Sequence, residues 1–147
     1  MKLRTITLIL AISPAAAQAE VRSYDCELHS IQAQGWIPSR VIFSVDAENN
    51  QARVLDGAVM AANELAGRDE EMPMNPKLKA TRKGEYQLSW RLTLPANNTR
   101  QLRAAYTAKL NPADNSLSLR AKFPMDNVAN RPGGVGDCKP ITSRSLF

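Results

Sequence analysis

Apolar and polar residues alternate along most of this chain, and short turn-rich segments interrupt the alternation. The clearest case is the segment EYQLSWRLTL, in which every second residue from Tyr86 to Leu94 is apolar and the residues between them are polar or charged. Successive side chains of a β-strand point to opposite faces, so this spacing predicts a strand with one buried face. Trp90 lies at the centre of that predicted face.

Six further segments show the same alternation and are predicted strands: SYDCELHS, WIPSRVIFSV, QARVLDGAV, PKLKATR, RQLRAAYTAKL and SLSLRAKF. Turn-forming pairs such as Asn49-Asn50 and Lys83-Gly84 separate them. The segment VMAANELAGRDEEMPMNP is predicted to be a long connection with at most one helical turn, ended by Gly67. The pattern therefore predicts an all-β fold, a single antiparallel meander forming a small closed or nearly closed β-barrel, with a β-sandwich as the alternative.

The turn PANNT joins two of these predicted strands and fixes a register between them. If Leu94 pairs with Arg100, then Arg91 lies directly opposite Arg103. Like charges that face each other across a sheet are mildly destabilising, so neutral residues at these two positions would give a more stable sheet.

The first 19 residues have the three-part layout of a cleavable signal peptide. A basic start at Lys2 and Arg4 precedes an apolar run, which ends in small residues at Ala17 and Ala19. Residues 20–147 are then predicted to be one domain, exported to the periplasm or secreted. The apolar run is shorter than the roughly 20 residues of a membrane-spanning helix, so no membrane span is expected.

The chain has two cysteines, Cys26 near the start of the predicted domain and Cys138 near its end. In an oxidising compartment, two cysteines in one small domain predict a single disulfide. The glycines of RPGGVGDCKP are interpreted as a sharp bend that lets Cys138 reach Cys26.

Charge is unevenly distributed along the chain. The whole sequence carries a formal net charge of +5, yet residues 20–76 contain four basic and ten acidic residues. Residues 77–131 contain eleven basic and three acidic residues. The outward positions of the predicted meander carry a candidate site for an anionic envelope component or an acidic protein surface: Lys77, Lys79, Arg91, Arg103, Lys109, Arg120 and Lys122. A solvated face without a partner is the alternative interpretation of these charges.

Two other functions are considered from the residues. Asp25, Glu27 and His29 share one face of the first predicted strand and would be the groups of a small hydrolase or metal-binding protein. A barrel interior that carries a small apolar ligand is the second. We expect neither catalysis nor a metal nor a cofactor, because the ligand set is sparse and no nucleotide motif is present. Nucleic acid is not expected as a partner, since exposed aromatic residues do not interleave with the basic ones.

The tripeptide Tyr24-Asp25-Cys26, soon after a signal peptide in a short disulfide-linked β domain, resembles the periplasmic inhibitors of c-type lysozyme. The Ser-Gly-x-x-Tyr loop with which that family blocks the lysozyme cleft has no match in this sequence. The resemblance therefore implies an exported β domain and assigns no inhibitory residue.

Overall fold

The computed structural model describes residues 20–31, 36–96, 100–124 and 132–147, and the predicted signal peptide, residues 1–19, lies outside them. Eight strands and one helix follow one another in the order β1 Arg22–Ser30, β2 Arg40–Asp46, β3 Gln51–Asp56, α1 Gly57–Leu65, β4 Lys77–Ala80, β5 Tyr86–Pro95, β6 Gln101–Asn111, β7 Ser116–Lys122 and β8 Gly133–Ile141. In the described part of the chain no helix has the length and apolar character needed to cross a membrane.

The eight strands form one antiparallel sheet in the order β3-β2-β1-β8-β7-β6-β5-β4. Two runs of sequential neighbours, β1 to β3 and β4 to β8, are joined by the pairing of β1 with β8. At the other seam, Val54 and Met74 exchange two backbone hydrogen bonds of 2.9 Å, which brings β3 against the segment before β4. The sheet therefore curls into a nearly closed barrel, as predicted, and the alternative β-sandwich does not form.

Helix α1 replaces the end of the predicted third strand and the first part of the predicted connection. The third strand was expected to continue to Val59, but it ends at Asp56, whose carboxylate Oδ1 accepts a hydrogen bond of 2.8 Å from the Val59 amide. This contact is an N-cap, and it begins a helix of nine residues rather than a single turn. Because β4 pairs only with Tyr86–Ser89 of β5, α1 packs beside the rest of β5 and fills the gap in the barrel wall.

Strand β8 is the eighth strand, where the sequence analysis predicted seven. Its glycines interrupt the apolar alternation, which is why the pattern did not reveal it. The predicted sharp bend is wrong, because Gly133–Ile141 runs as one strand along β1 and β7. A Cβ atom at Gly136 would lie 1.8 Å from the carbonyl oxygen of Glu27, so the glycine permits the close approach of β8 to β1.

The predicted disulfide between Cys26 and Cys138 is confirmed. The two residues lie directly opposite each other on β1 and β8, 112 residues apart in sequence. A disulfide that persists indicates an oxidising environment. The bond therefore joins the two runs of strands at the seam where they meet.

Large aromatic residues fill the middle of the barrel. The rings of Trp90 and Tyr106 stack with their centroids 5.6 Å apart, and Phe43 packs edge-on against Trp90 at 6.2 Å. The Tyr106 hydroxyl donates a hydrogen bond of 3.0 Å to the carbonyl oxygen of Trp36. The predicted inward orientation of Trp90 is confirmed, since the residue is buried between these neighbours.

Loss of the disulfide should destabilise the protein without changing the sheet order. Replacing Cys26 and Cys138 by serine should lower the free energy of unfolding by about 2 to 5 kcal/mol, because the unfolded chain regains the entropy of a long open loop. Urea unfolding of the double variant and the wild type measures this difference. Mass spectrometry of the non-reduced wild type should find one intramolecular bridge, and two free thiols in freshly isolated protein would contradict the assignment.

The two tryptophans should differ in their contribution to stability. Trp90→Ala should lower the free energy of unfolding by about 3 to 5 kcal/mol, because it removes the ring that stacks on Tyr106. Trp36→Ala should cost much less, since its half-buried ring contacts Phe123 at the barrel end and its backbone carbonyl remains available to Tyr106. Thermal or urea unfolding compares the two variants, and equal losses would refute the assigned orientations.

Candidate functional site

All seven basic residues proposed from the sequence lie on exposed, outward positions of four neighbouring strands. β4 carries two of them, β5 and β6 carry three, and β7 carries two: Lys77, Lys79, Arg91, Arg103, Lys109, Arg120 and Lys122. The five cations on β5, β6 and β7 alternate along their strands with buried residues of the barrel interior, and Lys77 and Lys79 flank the half-buried Leu78 on β4. We call this surface the β4–β7 outer face.

The predicted pairing of Arg91 with Arg103 is wrong by two residues. Leu94 pairs with Leu102, so Arg91 lies opposite Ala105 and Arg103 lies opposite Thr93. The connection between β5 and β6 has five residues, as PANNT does, but it begins one residue later, because Pro95 still belongs to β5 and pairs with Gln101. A shift of two residues preserves which side chains point outward, so the two arginines remain on the same face as diagonal neighbours.

On the β4–β7 outer face every one of the seven cations lies opposite uncharged residues. The pairs are Lys77 with Ser89, Lys79 with Gln87, Arg91 with Ala105, Arg103 with Thr93, Lys109 with Gln87 and Ser118, Arg120 with Thr107 and Gly133, and Lys122 with Ala105. Direct cross-strand repulsion between like charges is thereby avoided. The sheet therefore carries these cations without the direct repulsion between Arg91 and Arg103 that the predicted register implied.

Two open grooves lie between these cations. One has a volume of about 640 Å³ and is bordered by Arg91, Arg103 and Lys122. The other has a volume of about 430 Å³ and is bordered by Lys109, Arg120 and Lys122. Both grooves are also lined by Ala105, so they meet at the small residue between Arg91 and Lys122.

The ion pairs of the described residues lie elsewhere on the barrel. Arg22 pairs with Glu20 before β1, and the Arg40 guanidinium makes two hydrogen bonds of 2.6 and 2.8 Å to the carboxylate of Asp25. None of the five cations that border the grooves has an ionic partner among the described residues. Their charges are therefore available to solvent or to a ligand.

Asp25, Glu27 and His29 do share one outward face of β1, as predicted. Arg40 donates hydrogen bonds to both oxygens of Asp25, and these bonds hold the pKa of Asp25 below its usual value. Burial acts in the opposite direction, but its effect is smaller. The three side chains face Lys139, Asp137 and Val135 of β8. In the ranges that the structure describes, no three His, Cys, Asp or Glu side chains are grouped so as to hold a metal ion.

Asp56 is a buried titratable group that the sequence analysis did not single out. It shares the inward parity of Val54 and is almost completely buried. Burial raises its pKa to about 6, although hydrogen bonds from the Val59 and Ala58 amides act in the opposite direction. Its Oδ2 atom is buried and has no hydrogen-bond partner among the described residues.

The environment of Asp56 extends to the aromatic residues of the core. Burial raises the pKa of Tyr106 well above its usual value, and the negative charge of Asp56 adds to the increase. The indole nitrogen Nε1 of Trp90 is also buried without a hydrogen-bond partner in the described part of the protein. Unpaired buried polar atoms cost stability, so Asp56 Oδ2 and Trp90 Nε1 each lower the stability of the core.

Some of these features left a signal in the sequence, and others did not. An Asp directly before Gly57 and an alanine-rich stretch is an N-cap signal, which the strand assignment to Val59 obscured. The small residues that line the grooves, Ala105, Thr107 and Ser118, become visible only once β6 and β7 are in register. The grouping of cations around Ala105 likewise depends on the register of three strands.

Similarity to known proteins assigns no function to this chain. Comparisons with protein-family models, curated proteins and solved structures find no match. The resemblance of Tyr24-Asp25-Cys26 to the lysozyme inhibitors therefore gains no support from them.

The buried carboxyl group of Asp56 should make stability fall between about pH 4 and pH 6. The folded state holds its proton up to about pH 6, whereas the unfolded chain releases it near 3.8, so folding is favoured at the acidic end of this range. Asp56→Asn keeps a capping oxygen and removes the titration. It should flatten the profile and so remove the loss of stability between about pH 4 and pH 6.

Urea unfolding at a series of pH values measures this effect. Asp114→Asn is the matched control, because Asp114 is an exposed turn carboxylate whose pKa is lowered by hydrogen bonds involving Ser116. The control should keep the decline between pH 4 and pH 6. Parallel profiles for the wild type and Asp56→Asn through this interval would contradict the assignment.

Proposed function

We propose that this protein is a non-catalytic, exported binding protein whose β4–β7 outer face binds an anionic partner in the periplasm or cell envelope. The observation that carries the proposal is the set of seven exposed cations on one sheet face, each opposite an uncharged residue. Cations gathered in this way produce a positive potential that attracts an anionic ligand and speeds its association.

A purely solvated face is a weaker explanation of this arrangement. Soluble surfaces usually intersperse charges of both signs, which also limits self-repulsion. The β1 and β2 side of the barrel follows that rule, because Arg40 and Asp25 neutralise each other there. On the β4–β7 outer face, the described residues that line the two grooves include five cations and no acidic residue.

The proposed location rests on the disulfide and on the predicted signal peptide together. A disulfide between Cys26 and Cys138 suits an oxidising compartment outside the cytosol. Envelopes contain anionic lipids and polymers, so a cationic face would meet abundant partners there.

The two alternative functions receive less support from the residues. An apolar carrier needs an open interior, whereas Phe43, Trp90 and Tyr106 occupy the middle of this barrel. A hydrolase at Asp25 needs a carboxylate that is free to accept a proton, whereas Arg40 engages both of its oxygens.

Removal of two groove cations should weaken binding without unfolding the protein. The double variant Arg91→Gln with Arg103→Gln should elute from immobilised anionic envelope material at a lower salt concentration than the wild type. Fewer cations then attract the protein to the material, so less salt is needed to screen that attraction. Both side chains are exposed and neither faces the other directly, so the free energy of unfolding should change by no more than about 0.5 kcal/mol.

Salt-gradient elution and thermal melting on the same preparations measure these two effects. Arg82→Gln with Lys83→Gln is the matched control, since it removes the same charge from the exposed turn between β4 and β5. The control should elute close to the wild type. Equal elution of all three proteins would leave the solvated face as the better explanation.

A further inference from the structure

We infer that the anionic partner is a linear polymer with a negative charge on successive repeats, and that it lies along β6 as a single extended chain. This inference rests on the proposed function and specifies its ligand. The site is the β6 trough, which we define as the two grooves that meet at Ala105.

The floor of the β6 trough is made of short side chains. Ala105 and Thr107 point outward from β6, and Ser118 lies beside them on β7. Short residues here leave space above the strand, and the hydroxyl groups of Thr107 and Ser118 can donate hydrogen bonds to anionic oxygens.

Long cationic side chains form the two sides of the β6 trough. Arg91 stands on β5, and Arg120 and Lys122 stand on β7. Neighbouring strands lie about 4.8 Å apart, so these sides are separated by roughly 10 Å. That width admits one extended chain between the cations and excludes a folded domain or a helix from the floor.

The length of the β6 trough suits several charged repeats. Arg103 and Lys109 mark its ends on β6, and six residues of an antiparallel strand span about 20 Å. Lys122 and Arg120 pair with Ala105 and Thr107, so cations occur about every 7 Å between those ends. A chain with regularly repeated carboxylates or phosphates can therefore meet a cation at each step.

A flat anionic surface fits this geometry less well. The outside of a barrel is convex, so a membrane would meet the tips of the cations and leave Ala105 and Thr107 uncovered. The two kinds of partner therefore differ in one testable respect. Only a chain within the trough depends on the size of the residue at position 105.

The first test measures affinity against chain length. Purified protein is titrated with galacturonate oligomers of two to twelve units, and a parallel series uses glycerol phosphate oligomers to separate carboxylate from phosphate ligands. Affinity should rise by about tenfold or more from the dimer upwards. It should level off once a chain spans about 20 Å, because longer chains reach no further cations.

The second test fills the floor of the trough without changing its charge. Ala105→Leu should weaken binding of a galacturonate octamer by about tenfold while leaving binding to phosphatidylglycerol vesicles unchanged. Ser89→Leu is the matched control, because Ser89 points outward on β5 next to Thr107 but does not line either groove. Thermal melting of both variants identifies any loss of folding.

The outcomes separate this inference from the proposed function. Octamer binding that falls with Ala105→Leu and persists with Ser89→Leu supports the linear chain. Salt-sensitive binding to vesicles, with no dependence on oligomer length and no effect of Ala105→Leu, overturns the linear chain and retains an anionic partner. Absence of salt-sensitive binding to every probe overturns both.

Discussion

The pairing of β1 with β8 is the contact on which the rest of the barrel depends. It joins the two runs of strands by a continuous ladder from Ser23 to Ser30, whereas at the other seam Val54 of β3 forms a bridge with Met74. The pairing requires a glycine at position 136, because a Cβ atom there would overlap the carbonyl oxygen of Glu27. The disulfide between Cys26 and Cys138 then holds residues together whose meeting closes a very long loop.

The second seam of the barrel lies between β3 and β4, and helix α1 takes part in closing it. The burial of the Asp56 carboxyl group at this seam costs stability. Strand β4 is short, so helix α1 covers the remaining length of β5, and its first amide groups need an acceptor. Asp56 supplies that acceptor from an inward position at the end of β3. The same position removes the carboxyl group from water, which raises its pKa and leaves one oxygen unpaired. The residue that caps α1 at this seam is therefore also the buried acid of the core.

The sheet also sets the positions of the cations on the β4–β7 outer face. Hydrogen-bonded strands fix the spacing of the Cα atoms, so the cations on β5, β6 and β7 extend from backbone positions that the register sets. Each cation lies opposite a small or uncharged residue, which reduces repulsion and leaves space between the long side chains. Under the proposed function, the backbone of this sheet is preorganised for an anionic chain, whereas the long exposed side chains lose rotamer freedom when they bind.

The sequence by itself determined the fold class, the inward and outward residues of the predicted strands, and the pairing of the two cysteines. These properties follow from local alternation and from the presence of two thiols, as the inward Trp90 and the outward Arg91 illustrate. Only the tertiary structure decided the register and the existence of β8, whereas the N-cap of α1 at Asp56 had a signal in the sequence that the strand assignment obscured. A shift of two residues leaves every side chain on the same face, so alternation cannot distinguish Arg103 from Ala105 as the partner of Arg91. Strand β8 has little alternation of its own, and it forms because its glycines fit closely against β1.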